Sequence, residues 1–196
     1  MFCLRVPIIT PRLILRPLEE NDGLAISKAT SETWGDLSKW MRWAVDRGKL
    51  SDPIGCAAYA KKCQESFLEQ SDFTFGGFSK EDNELVLISR LAFLNPKKNF
   101  FELCGYWCRK SYQGKGFMTE GVNAIVRYTF QEFNAEKIQI KHAAGNTRTR
   151  AVMDRLGFVE ESVIKQGHFL PNGSVVDEHV LFLYNQKNLP PIEVTW

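Results

Sequence analysis

The feature that most constrains the fold is a change of hydrophobic period near the middle of the chain. Apolar residues alternate with a period of two in three short runs, at residues 73–78, 85–93 and 100–108, with turn-forming residues between them. Connections this short join antiparallel neighbours in a sheet. After Gly114 and Gly116 the period becomes 3.6, which is typical of an amphipathic helix. The sequence therefore predicts three antiparallel strands that lead through a glycine-containing loop into a helix.

The rest of the chain follows the same two patterns. They predict a strand at 12–16, helices at 19–30 and 53–68, a strand at 137–142, a short helix at 146–157, an extended segment at 158–169 and a final strand at 179–184. The resulting order is β-α-α-β-β-β-α-β-α-β-β. This order predicts an α/β domain with a mixed sheet.

Composition and length set the class of protein. The chain has 196 residues, of which 44% are hydrophobic and 24% charged, and this composition excludes disordered, collagen-like and simple coiled-coil proteins. We expect one domain over 1–196, with a core at about 10–184 and a short tail at 185–196. No apolar run approaches the roughly 20 residues of a membrane span, and the first residues lack the apolar region of a signal peptide. We therefore expect a cytoplasmic protein that does not bind membranes.

The cysteines predict no metal site. They are Cys3, Cys56, Cys63, Cys104 and Cys108, an odd number with none of the spacings that zinc sites use. Reduced and mostly buried thiols are expected.

Positive charge is concentrated in one part of the chain. The net charge is only +2, but residues 97–165 hold 12 basic and 7 acidic side chains, a net charge of +5. Such a bias favours a ligand that carries phosphate, although a solvated basic surface would look the same. A nucleic-acid-binding protein would be more basic overall, so we expect no stable binding to nucleic acid.

The glycine-containing loop is the best candidate for that ligand. Gly114 and Gly116 allow a tight turn and a close approach of the backbone. The free amides of the loop and of the first helical turn, together with the helix dipole, favour an anion. The loop matches neither the P-loop pattern nor the dinucleotide pattern G-x-G-x-x-G.

At this loop the sequence resembles a known family. Residues 113–118, Gln-Gly-Lys-Gly-Phe-Met, resemble the pyrophosphate-binding loop of the GCN5-related N-acetyltransferases (GNAT), and the wider pattern resembles the branch that acetylates the N-termini of ribosomal proteins. The supporting stretches are residues 10–17, 40–44, 105–107, 146–152 and 156–158. The resemblance implies a mostly antiparallel, twisted sheet flanked by helices.

The resemblance also implies the reaction and its partners. The expected reaction is acetyl transfer from acetyl-CoA, without a metal, to a primary amine, most simply a protein N-terminus such as that of a ribosomal protein. Two alternatives stay open: a small-molecule amine such as an antibiotic or a polyamine, and a non-catalytic CoA-binding or interaction module. Either a monomer or a homodimer is compatible with the sequence.

A set of residues is implied to bind the cofactor. The resemblance implies that backbone at the end of the 100–108 strand pairs with the pantetheine arm of CoA and that the loop amides bind the pyrophosphate. It also implies that the residue capping the 146–157 helix contacts the CoA arm. These residues are Tyr106, Trp107, Cys108, Gln113, Gly114, Lys115, Gly116, Phe117, Met118, Thr119 and Asn146.

Three residues are candidates for proton transfer. Glu102 would share a strand face with Cys104 and Tyr106 if the alternation is regular, but it could also be an exposed strand residue. The resemblance further implies a bulge near 104–106, which would change the face that Glu102 occupies. His168 takes the place of a base proposed for the ribosomal branch, and imidazole titrates near neutral pH; a surface histidine is the alternative.

The resemblance makes Thr149 the candidate donor to the leaving sulfur, because it stands where the ribosomal branch usually has serine and it keeps the hydroxyl. Met153 stands where many family members have a tyrosine acid, so a tyrosine donor is absent at that position. The Thr149 hydroxyl could instead bond only to the backbone of its own helix.

Aromatic residues of the 34–43 segment are implied to line the acceptor cleft. Trp34 and Trp40 are the candidates, although a place in the core would explain them equally. His142 and His179 are expected to be structural or superficial.

Overall fold

The structure is a computed structural model that describes residue 2 and residues 4–196. It contains eight strands, five α-helices and three single-turn 3-10 helices within these residues. The strands are β1 (Ile8–Ile9), β2 (Leu13–Pro17), β3 (Phe73–Ser79), β4 (Leu85–Asn95), β5 (Phe100–Cys108), β6 (Lys137–Ala143), β7 (Val159–Phe169) and β8 (Val175–Leu183). The helices are α1 (Gly23–Trp40), α2 (Arg47–Leu50), α3 (Pro53–Leu68), α4 (Phe117–Glu132) and α5 (Thr147–Arg155).

All eight strands belong to one sheet in the order β1-β2-β3-β4-β5-β6-β8-β7. Each neighbouring pair is antiparallel except β5 and β6, which are parallel. A parallel pair needs a crossover, and α4 provides it. The expectation of a mostly antiparallel sheet flanked by helices is thus confirmed.

The parallel pair separates halfway along its length. β5 pairs with β6 only from Phe100 to Leu103, opposite Lys137 to Ile140. Beyond that point β5 stays bound to β4, and β6 stays bound to β8. The residues of β5 after Leu103 therefore have one edge that no strand of the described chain covers.

A β-bulge occurs at the same place. Leu103 lies opposite Leu91 and Gly105 lies opposite Arg90, so Cys104 is an extra residue in β5. A bulge bends the strand and changes which side chains share a face. The bulge and the separation together open the middle of the sheet.

The main core lies between the sheet and α4. Val122, Ile125 and Val126 are fully buried in a cluster with strand residues such as Phe101 and Ile138, which confirms the predicted helical face. A smaller cluster on the other face of the sheet packs Ile26 of α1 and Ala60 of α3 against strand residues.

Helix α1 is longer than the sequence analysis predicted. It runs through Trp40 rather than ending at residue 30, and Thr33 and Leu37 are buried on it. Thr33 and Gly35 are weak helix formers, and tertiary packing of the buried face overrides that weakness. The sequence analysis also missed β1 and α2, which are only two and four residues long, and placed the start of β8 four residues too late.

The C-terminal residues pack on the rest of the chain. Thr195 and Ile9 exchange two backbone hydrogen bonds of 2.7 and 3.1 Å. The indole of Trp196 donates to Glu132 at 2.7 Å and meets the Tyr128 ring edge to face. Across the residues that the structure describes, we find no helix with the length and apolarity needed to cross a membrane.

Candidate functional site

The glycine-containing loop ends at the N-terminus of α4. Gly114 and Gly116 have φ angles of +75° and +84°, which side-chain-bearing residues rarely adopt. Gly116 is the residue that caps α4, and it has no side chain to accept from the amides of the first turn. Those amides remain available to a ligand, and the positive end of the helix dipole favours an anion there.

Arg12 and Glu120 hold this loop in place. The Arg12 guanidinium donates to Glu120 at 2.6 Å and to the carbonyl of Lys115 at 2.9 Å. It also covers the ring of Phe117 at 4.2 Å, while the hydroxyl of Thr10 donates to Glu120 at 2.7 Å. Thr10 and Arg12, which lie just before β2, therefore fix the conformation of a loop about 100 residues further along the chain.

Asp36 of α1 ties the loop to two other elements. Its Oδ2 accepts from Gln113 at 3.0 Å, from Arg148 of α5 at 3.1 Å and from Lys110 at 3.3 Å. Partial burial alone would raise the pKa of Asp36, but the bonds from Gln113 and Lys110 outweigh it, and the net pKa is lowered. Asp36 is thus an anion that gathers two cations at one side of the loop.

A cavity of about 950 Å³ lies in front of this loop. Its lining includes most of the residues implied for the cofactor: Tyr106, Trp107, Cys108, Gln113, Gly114, Gly116, Phe117, Met118, Thr119 and Asn146. Thr149 and Trp40 line it as well. Lys115 does not, since its carbonyl is engaged by Arg12 and its ammonium lies 5.6 Å from the Tyr112 ring.

Tyr106 connects the open edge of β5 to α5. Its hydroxyl donates to the carbonyl of Thr149 at 3.3 Å, and burial raises its pKa, so it stays protonated. The Asn146 side chain accepts from the amide of Thr149 at 3.2 Å and caps α5 as predicted. The backbone of Thr149 is therefore held from both sides.

A second, smaller cavity of about 80 Å³ adjoins the first. The two share Trp40, Met41, Tyr106, Asn146 and Thr149 as lining residues. A space of this size holds about two or three waters. It gives the large cavity a narrow extension beside Thr149.

His168 lines the smaller cavity. Its Nδ1 lies 2.9 Å from the Glu178 carboxylate, and its side chain is 15% exposed. Its Nε2 is buried and has no hydrogen-bond partner among the described residues. If Nδ1–H donates to Glu178, the lone pair on Nε2 is left to accept a proton or a hydrogen bond.

Glu102 lies outside both cavities. Tyr106 packs with the same core cluster as Phe101 and Leu103, so the bulge at Cys104 has put Glu102 and Tyr106 on opposite faces. The condition of regular alternation therefore fails at Cys104, where the bulge that the resemblance implied is present. The Glu102 carboxylate lies 4.0 Å from the ammonium of Lys141.

Trp34 does not line either cavity. The cavity face of α1 carries Thr33, Asp36, Leu37 and Trp40, which are spaced at i, i+3, i+4 and i+7 and share one side of a helix. Trp34 falls outside that set. The sequence analysis missed Asp36 because it ended the helix too early, although this spacing was available in the sequence.

The remaining histidines lie together on β6 and β8. His142 is 6% exposed and stacks on His179 with ring centroids 4.9 Å apart. Burial lowers the pKa of His142, and His179 meets Glu160 at 2.8 Å. His142 is also among the lining residues of the smaller cavity.

The cysteines are free thiols where the structure describes them: Cys56 is buried, Cys63 and Cys108 are half-buried, and Cys104 is exposed at the bulge. The expectation of mostly buried thiols therefore fails at Cys104, and Cys3 lies outside the described residues. Burial raises the pKa of Cys108 to about 12, so its thiolate form is scarce at neutral pH. Within the described residues, no cluster of three or more histidine, cysteine, aspartate or glutamate side chains could hold a metal ion.

Comparison with known proteins agrees with this geometry. The Acetyltransferase (GNAT) domain family matches residues 12–159. The chain is 36% identical over 167 residues to YdaF of Bacillus subtilis (strain 168), which is provisionally named a ribosomal N-acetyltransferase. The matched residues are 83% of this chain and 86% of YdaF. The ribosomal protein uS5-alanine N-acetyltransferase of Escherichia coli (strain K12) is 28% identical over 179 residues, or 90% of this chain and 89% of that protein.

A solved structure gives the same result for the fold. RimL, a ribosomal L7/L12 alpha-N-protein acetyltransferase in complex with coenzyme A, superimposes with a TM-score of 0.80 at 19% identity. The superposition covers 90% of this chain and 96% of the RimL chain. At this identity the likeness shows a shared fold.

Proposed function

This chain belongs to the GNAT family of acetyltransferases, and we propose that it transfers the acetyl group of acetyl-CoA to the N-terminal amine of a protein. One observation carries the proposal. The glycine-containing loop, the open edge of β5 and Thr149 line one cavity, and a small extension of that cavity contains His168. Acyltransferases of this family use acetyl-CoA as the acetyl donor, and the cavity offers a place for each part of it.

The loop fits the pyrophosphate of acetyl-CoA. An added Cβ at Gly114 would meet no atom within 4 Å, so the backbone there faces open space that a ligand can approach. The amides of Gly114 to Thr119 and the dipole of α4 would meet the negative charge, whereas the Gln113 amide already donates to the Lys110 carbonyl at 3.2 Å. Arg148, held beside the loop by Asp36, adds a cation that can turn toward a phosphate.

The open edge of β5 fits the pantetheine arm. That arm contains two amide groups, and an extended chain with amides can add to a strand edge as another strand would. Backbone groups of Tyr106 to Cys108 would form these bonds. The thioester would then lie near Thr149, at the junction of the two cavities.

His168 is our choice for the group that receives the proton of the amine. The amine nitrogen forms a bond to the thioester carbon, the bond from carbon to sulfur breaks, and the amine proton leaves. Nε2 of His168 faces no competing donor in the described chain, and Glu178 holds the ring in position. The hydroxyl of Thr149 would donate a hydrogen bond to the sulfur as negative charge develops on it.

The size of the smaller cavity supports a small terminal residue as the acceptor. About 80 Å³ admits an amine with a small side chain and leaves the remainder of an extended peptide outside. This is the observation that favours a protein N-terminus beginning with alanine or serine over a bulky amine.

Mass spectrometry of reaction products tests the proposal. Acetyl-CoA is incubated with three acceptors: a peptide with a free N-terminal alanine or serine, the same peptide blocked at its N-terminus but containing an internal lysine, and a polyamine. We expect acetylation of the free α-amine alone, and slower reaction when the first residue is phenylalanine.

Each other outcome has a definite meaning. Acetylation of the polyamine or of lysine, but not of the α-amine, would show that the acceptor is another kind of amine. Tight CoA binding without transfer to any acceptor, lysate proteins included, would show a binding module and overturn the proposed activity.

A further inference from the structure

The segment Pro190–Ile192 forms part of the wall of the large cavity. These three tail residues line it together with Asn123 of α4 and Arg155 of α5. The sequence analysis treated 185–196 as a tail of unknown role. In the structure this segment is a component of the cavity.

Side chains of α4 anchor the segment by its backbone. The Pro190 carbonyl accepts from the Asn123 amide at 2.9 Å and from the Arg127 guanidinium at 3.0 Å. Asn123 is 3% exposed, and Arg127 also donates to its side-chain oxygen at 3.0 Å. Leu189 is buried in the main core just before the anchor. The segment is therefore held in place by bonds to its backbone, and the side chains that face the cavity take no part in them.

The chemistry of this wall is apolar. Pro190 and Pro191 have no backbone N–H to donate, and the carbonyl of Pro190 is already engaged by two donors. The side chain of Ile192 is purely aliphatic. The apolar surface of this segment suits the face of a flat ring, and the Arg155 side chain beside it offers a cation to a phosphate of the same nucleotide.

The wall lies at the end of the cavity away from the reacting groups. Asn146 and Thr149 stand at the start of α5, whereas Arg155 is its last residue. Nine residues of helix separate Asn146 from Arg155, a distance of about 13 Å. A ligand whose thioester lies near Thr149 would bring its opposite end toward Pro190–Ile192.

We propose that Pro190–Ile192 is the binding surface for the adenine ring of CoA. This inference rests on the proposed function, because it takes CoA as the occupant of the cavity. The tail then contacts only the nucleotide part of CoA. The pantetheine arm and the thioester are contacted by β5 and α5.

Two ligands that differ in the nucleotide test this assignment. CoA contains the adenosine unit, whereas 4′-phosphopantetheine lacks it and keeps the arm. Calorimetry on the full chain measures the Kd of both for wild type, Ile192→Ala and Pro191→Ala. We expect the Kd for CoA to rise about five- to tenfold in Ile192→Ala, while the Kd for 4′-phosphopantetheine stays unchanged.

Glu193→Ala is the matched control. Glu193 is the next residue, is exposed and does not line the cavity, so both affinities should match those of wild type. Thermal unfolding verifies that each variant is folded, which we expect because the anchor uses the Pro190 carbonyl.

The outcomes separate this inference from the proposed function. Unchanged CoA affinity in both tail variants would overturn the adenine site while leaving the acetyltransferase intact. An equal loss for both ligands would also overturn it, because the tail would then act through the fold. A wild-type chain that binds neither ligand would overturn the proposed function and this inference with it.

Discussion

Replacing Gly114 by alanine should separate the stability of the loop from its role in binding. Gly114 has a φ of +75°, and Gly173, in the turn between β7 and β8, has a φ of +84°. A Cβ added at either position would meet no atom within 4 Å. Only Gly114 lines the cavity, so Gly173→Ala imposes the same kind of backbone strain at a place where no ligand is expected.

The expected effects differ in kind. An alanine held in the left-handed region costs about 1 kcal/mol of unfolding free energy, which corresponds to a fall of about 2–4 °C in Tm for a chain of this size. Both variants should show this loss. In Gly114→Ala the added methyl group also stands between the backbone and the pyrophosphate. Losing one charge-assisted hydrogen bond there would weaken CoA binding at least about tenfold.

Two assays on the same samples decide the matter. Calorimetric unfolding gives the stability of each variant, and titration with CoA gives the Kd. We expect similar Tm values for the two variants and a raised Kd only in Gly114→Ala. Equal CoA affinity in two folded variants would refute the placement of the pyrophosphate at this loop.

Three further predictions concern the groups around the cavity. Thr149→Val keeps the shape of the side chain and removes the hydroxyl, so kcat should fall about tenfold or more while the Kd for acetyl-CoA changes little. An unchanged kcat, measured where chemistry is rate-limiting, would exclude the Thr149 hydroxyl as the donor. His168→Gln should lower kcat/KM at neutral pH, because glutamine keeps a similar size and polarity but cannot take up the amine proton; full activity in a folded His168→Gln variant would exclude His168 as the base. The pKa of Asp36 is lowered from its ordinary 3.8, so its ion pairs stabilise the fold above that value and the benefit is lost as pH falls through the lowered pKa. Asp36→Asn should therefore be less stable than wild type at pH 7, by about 1 kcal/mol given its partial exposure, and denaturant titrations should show the two converging in strong acid; a gap that is constant with pH would contradict this.

Local patterns were enough to predict most of the elements around the site. β5 has the predicted bounds, the predicted amphipathic helix follows the glycine-containing loop as α4, and Asn146 caps α5. Each of these depends on neighbours within a few residues along the chain, because alternation, helical period and capping are properties of a short backbone segment. The glycine-containing loop was also found in this way.

The strand face that Glu102 occupies could not be predicted from local alternation, and only the family resemblance implied the bulge that determines it. Its face depends on the extra residue at Cys104, and that bulge is defined only by the pairing of β5 with β4. Likewise, α1 continues to Trp40 because Thr33 and Leu37 are buried, and this packing outweighs the weak helix propensities of Thr33 and Gly35.

Local patterns in the sequence thus predict most of the helices and strands and the glycine-containing loop. The distant residues that surround this loop and the cavity are brought together only by tertiary packing. Arg12 and Glu120 are 108 positions apart, and Asn123 and Pro190 are 67 apart. The separation of β5 from β6 places Tyr106 beside Thr149, and the β7–β8 pairing places His168 beside Glu178. These contacts arise from strand register and from the packing of a crossover helix, which depend on the whole chain at once and leave no periodic trace in any single segment.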